Sequence, residues 1–110
     1  MQTYKESVAE GYHFRGAQEV GLFLQENEYL APLLMEARKR IKQFFGSETP
    51  VVLEVFHDPE GESEPELFAL IQAKLPADEA RKRRSQLDKE WWVENSVHGR
   101  CRLNIDLEYR

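Results

Sequence analysis

Glu54, Asp106 and Glu108 have the spacing that metal chemistry uses. They occupy alternate positions in two strand-like segments, Val51 to Phe56 and Cys101 to Tyr109. If the two strands share a face, the three carboxylates come close enough to hold a hard cation such as Mg²⁺. A bound cation would then activate water against a phosphate ester. The plainer alternative is an amphipathic strand that turns polar residues to water, with Arg102 and Arg110 offsetting the charge.

His57 beside Asp58 is a second pattern, since a neighbouring carboxylate favours the charged imidazole and makes it a better base. No activated nucleophile accompanies it, and a turn begins there, so a solvated or turn-bonded histidine is the simpler reading. Cys101 follows His98 by three residues but sits at a buried position of its strand, where it serves as a small hydrophobe. The one basic run, Arg81-Lys82-Arg83-Arg84, could meet nucleic-acid phosphates. Asp78, Glu79, Asp88 and Glu90 flank it at three- and four-residue spacings, which makes ordinary helix ion pairs. Four consecutive residues also wrap around a helix instead of forming a stripe. Trp91 and Trp92 point about 100° apart on a helix, so one ring enters a core and the other faces the rim, where Trp92 is either a contact residue or a cover for a sheet edge or the 47–50 loop.

Other chemistry is missing. No G-x-S-x-G or G-x-G-x-x-G occurs. Gly11 and Gly16 have P-loop spacing, but Ala17 and Gln18 stand where Lys and Ser or Thr are needed. A calcium loop from Asp58 would require Gly and Glu where Ser63 and Ala69 stand. No cofactor is expected.

The elements that position these residues follow from periodicity. Residues 1–16 lack a period and read as a mobile N-terminal tail before a single domain over 17–110. Val20, Phe23 and Leu24 predict a helix over 17–26, stopped by a left-handed Asn27. Leu30, Leu33, Leu34, Ala37, Ile41, Phe44 and Phe45 form one stripe, predicting a helix over 30–45 closed by Gly46. Val51 to Phe56 is apolar on both parities and reads as a central strand. Asp58-Pro59-Glu60-Gly61-Glu62 is turn chemistry, and residues 67–75 read as an antiparallel return. Pro76 opens a third helix that fades near Asn95, and residues 101–109 alternate as a last strand. The expected fold is α+β, in the order α-α-β-β-α-β. Its three-stranded, mainly antiparallel sheet has order 2-1-3, with helices packed on one face.

The strings FLQENEYLAPLLMEARKRIKQFFG, VVLEVFHDPEGE, ELFALIQAKL, DKEWWVENS and LNIDLEYR are similar to those of small uncharacterised bacterial proteins of this length, over about residues 20–110. That resemblance implies a bacterial, cytosolic α+β domain and implies no activity, ligand or catalytic residue.

Composition narrows the function classes further. The 110 residues carry a net charge of −5, the wrong sign for a chain that grips phosphate backbones. Seven acids and no base fall within residues 47–66. No apolar run approaches the roughly 20 residues of a membrane helix, and the N-terminus has no apolar signal region. A single cysteine excludes an internal disulfide and fits a cytoplasmic setting. On the expected sheet, Val52, Phe56, Phe68 and Leu70 lie opposite the helices and need a cover, either the N-terminal helix or a second subunit. The expectation is a non-catalytic interaction or regulatory module that self-associates through this outer face, with Trp92 nearby, as a homo-oligomer or with a small protein partner. The alternatives are a metal-assisted hydrolase using Glu54, Asp106 and Glu108, and a nucleic-acid accessory protein using Arg81 to Arg84.

Overall fold

Leu30, Leu33, Leu34, Ala37, Ile41 and Phe45 are all buried along one side of a sixteen-residue helix, Leu30–Phe45. It ends where its sequence says it must. Gly46 takes φ 96°, a conformation that disfavours any side chain, and its N–H bonds the Lys42 carbonyl at 2.9 Å. Thr49 Oγ1 satisfies the carbonyl of Phe45 at 2.6 Å. This helix is the spine of a computed structural model that describes residues 11–62, 64–95, 97 and 102–108.

The described elements run β1 (His13–Phe14), α1 (Ala17–Glu26), α2 (Leu30–Phe45), β2 (Val51–Phe56), β3 (Glu66–Ile71), α3 (Ala77–Leu87) and β4 (Leu103–Leu107). The class is α+β, as expected. The sheet differs from the expected one in two respects. It has four strands in the order β1-β2-β3-β4, and it is mixed: β1–β2 and β3–β4 are parallel, β2–β3 antiparallel. The last strand thus lies beside β3, where a central 51–56 strand had placed it beside β2. Leu67, Ala69, Leu70 and Ile71 are buried on both faces of β3, so β3 is as interior as β2. The β3–α3–β4 connection then makes the ordinary parallel crossover unit between neighbours. β3 also stops at Ile71, short of the expected Leu75.

The other edge of β2 is taken by residues expected to be a loose tail. His13 and Phe14 pair with Val52 and Leu53, and Tyr12 is only 6% exposed. Residues 1–10 of that expected tail lie outside the described residues. α1 has its expected bounds, but Asn27 stops it differently: φ is −133°, and its side-chain amide donates to the carbonyl of Phe23 at 2.8 Å.

All three helices bury their apolar sides in one cluster with Val51, Leu53, Val55, Leu67, Ala69, Ile71, Leu103 and Ile105. Helices therefore cover one face of the sheet. α3 continues into a π turn, Asp88–Trp92, and a last helical turn, Val93–Asn95. The π turn changes the angular step. Trp91 is buried, and Trp92 packs half-buried on the same core, with its ring 5.6 Å from that of Trp91. Among the described residues no helix is long and apolar enough to cross a membrane.

Candidate functional site

The outer face is organised by a residue in the segment expected to be tail. Arg15 continues the β1 ladder, its N–H bonding the Leu53 carbonyl at 2.8 Å, which brings it alongside Glu54. Its guanidinium donates Nη1 to Glu54 Oε1 at 3.0 Å. Nη1 and Nη2 also grip both carboxylate oxygens of Glu108 at 2.8 Å each. Glu108 is held in turn by the buried Gln72, whose Nε2 donates at 2.9 Å, and by its own N–H on the Ile71 carbonyl.

Register shows what this bridge covers. Across the sheet, Glu54 lies beside Phe68, and Val52 beside Leu70 and Asp106. Pro50 lies beside Gln72, joined by the Gln72 N–H at 3.0 Å. A side chain reaching from the Glu54 row to Glu108 beside Gln72 must cross the Val52–Leu70 row. Val52 and Leu70 are accordingly 5% and 7% exposed, although they lie outside the main core cluster. The chain has made its own cover. The two carboxylates hold the Arg15 guanidinium above its ordinary range, through the Glu108 hydrogen bonds first and Glu54 second, so the guanidinium keeps its charge.

Glu54 and Glu108 therefore do meet, as their parity suggested, but around a guanidinium. Asp106 does not join them. Its Oδ1 accepts the Leu107 N–H at 2.8 Å and lies 3.6 Å from Arg84 Nε. No group of three His, Cys, Asp or Glu capable of holding a metal occurs among the described residues. The expected contact residues also separate. Val52 and Leu70 lie under the bridge, Trp92 packs on the helical side, and Phe56 and Phe68 remain at the hairpin end of the outer face. Those two rings meet edge to face, with centroids 4.6 Å apart, and Phe56 is 41% exposed.

The other expected groups are paired elsewhere. His57 does not use Asp58; its Nε2 lies 2.6 Å from Glu19 Oε2 on α1, both side chains being half-exposed. Asp58 instead accepts from the N–H groups of Glu60 and Glu62 and holds its own turn. In the basic run, Arg81 pairs with Asp78 and Arg83 with Glu79. Arg84 reaches the Ile105 carbonyl at 3.4 Å as well as Asp106. His98, Cys101 and Arg110 lie outside the described residues.

The Arg84 contacts have a structural consequence. Leu67 N–H bonds the Arg102 carbonyl and Glu108 N–H the Ile71 carbonyl, so the even residues of β4 face β3 and the odd ones face outward. Arg84 occupies the Ile105 carbonyl and Asp106 the Leu107 N–H. Side chains thus blunt this edge against pairing with another strand.

No family model, curated protein or solved structure matches this chain.

Arg15 was the residue that sequence reasoning missed. Tyr12-His13-Phe14-Arg15 does alternate apolar and polar, but four residues are too few for a period of two to stand out.

Proposed function

We propose that this chain is a non-catalytic interaction module that self-associates weakly through the hairpin end of its outer sheet face. The observation that carries the reading is Phe56, left 41% exposed on the ring of Phe68 while the rest of the apolar outer face lies under the Arg15–Glu108 bridge. The groups that catalysis would draw on support the same view, because they are engaged with each other: Glu54 and Glu108 with Arg15, and His57 with Glu19.

The apolar patch is small, and Glu54 and Glu66 fringe it on a chain of net charge −5. Like charges oppose the contact and salt screens them, so association strengthens as salt is added. Sedimentation equilibrium at high protein concentration should show a dimer fraction that rises with salt and disappears in Phe56→Asp. A strict monomer at every concentration and salt level would refute the reading.

The metal-assisted hydrolase has less support, since a guanidinium already occupies the space between Glu54 and Glu108. Millimolar Mg²⁺ or Mn²⁺ should leave the melting temperature unchanged; a rise in the midpoint would restore that alternative.

A further inference from the structure

β2 is longer than the strand that flanks it. β1 pairs only with Val52 and Leu53, and after Arg15 the chain swings away at Gly16, whose φ of 73° suits a residue without a side chain. The bonded pairs of the β2–β3 ladder are the even residues, in phase with Pro50 and Gln72, so the odd residues turn their main chain towards β1. Leu53 is satisfied there by Arg15. Beyond it, the N–H and C=O groups of Val55 and His57 point into the space β1 has left, with no main-chain partner among the described residues.

That space is an open cleft of about 630 Å³ between the start of α1 and the hairpin end of the sheet. Leu22, Phe23 and Pro65 give it apolar walls, and Leu22 is 53% exposed. Glu19 and Glu26 stand on its α1 side, and the adjoining loop 58–66 carries five acids and no base. Among the described residues no Lys or Arg lines it, and the nearby Arg102, 5.2 Å over the Phe23 ring, is paired with Glu64. The contrast with β4 is informative. One edge is blunted by Arg84 and Asp106, while the other has main-chain groups without a main-chain partner among the described residues, in an acidic, partly apolar cleft.

We infer that this cleft binds an extended basic peptide, which adds as a short strand to the 55–57 edge of β2. The main chain of such a peptide satisfies Val55 and His57. One apolar side chain packs against Leu22, Phe23 and Pro65, and flanking Lys or Arg residues meet Glu19 and Glu26. The Glu19–His57 contact at 2.6 Å spans the same place, so Glu19 exchanges the imidazole for the peptide's cation on binding.

The probe is an acetylated, amidated Lys-Val-Lys-Val-Lys peptide titrated into the ¹⁵N-labelled full chain at low salt. Its controls are the Glu-Val-Glu-Val-Glu counterpart and a version N-methylated at the central residues, which keeps charge but cannot pair. Binding should shift the amide signals of Leu22, Val55 and His57 and slow solvent exchange at the Val55 N–H. The acidic and N-methylated peptides should bind at least tenfold more weakly. The double variant Glu19→Lys, Glu26→Lys should lose binding by at least tenfold while keeping its far-ultraviolet circular dichroism. Equal binding by the N-methylated peptide, or shifts confined to other surfaces, would overturn the inference. Phe56→Asp should lose self-association without losing peptide binding, and the double variant should lose peptide binding without losing self-association, so failure at one surface is distinguishable from failure at the other.

Discussion

Replacing Tyr12 with alanine should lower the unfolding free energy by about 3–5 kcal/mol in a urea titration, the range for removing a buried aromatic ring. The residue is 6% exposed within the core cluster, and its phenol donates a 2.6 Å hydrogen bond to the carbonyl of Leu34 in the second turn of α2. Tyr12→Phe keeps the ring and loses only that bond, a change of about 1 kcal/mol. A distinct pH signature accompanies the pair. Burial raises the Tyr12 phenol well above its ordinary value, with Arg38 opposing in part. Above pH of about 10 the unfolded phenol ionises while the folded one does not, so the unfolded state binds fewer protons and stability falls as pH rises. That alkaline loss should be smaller in Tyr12→Phe. A loss under about 1 kcal/mol in the alanine variant would show that residues 12–15 do not anchor the sheet.

The second large effect belongs to Arg15. Arg15→Ala removes three N–H···O bonds, leaves Glu54 and Glu108 facing one another, and bares the Val52–Leu70 row. The arginine side chain is 41% exposed, so solvent screens the ion pairs and they contribute about 1 kcal/mol at most. Uncovering apolar surface adds a similar amount, for a total of about 2 kcal/mol. Arg15→Met separates the two contributions, because its stem still lies over Val52 and Leu70 without the charge. It should recover roughly half the loss in denaturant titration. Arg15→Ala should also dimerise more readily than wild type, since the patch beside Phe56 grows. If the alanine variant is as stable and as monomeric as the parent, the bridge is not a cover.

The two variants bear on different kinds of legibility. The bounds of α1 and α2 could be read from periodicity alone, and β2 and β4 fall inside the stretches that residue pattern assigned to strands. Each is specified within about a dozen neighbouring residues, where spacing and β-branching act directly on the backbone. Asp58 shows where locality misleads. Its nearest titratable neighbour is His57, yet a turn carboxylate bonds the amides two and four residues on more readily than a side chain beside it. The alternation of 103–107 likewise placed Glu108 on the outer face with Glu54, but could not say what would lie between them.

Local pattern thus determined the helices, most of the strands, the buried side of β4, and the acidity of the hairpin end. Tertiary structure alone decided that β4 lies against β3, that His13 and Phe14 form a strand, and that Arg15 joins Glu108 across 93 residues of chain. The reason is physical. A strand pairs with whichever edge the packed helices bring to it, and a two-residue strand or an ion pair between distant residues has no repeat to betray it.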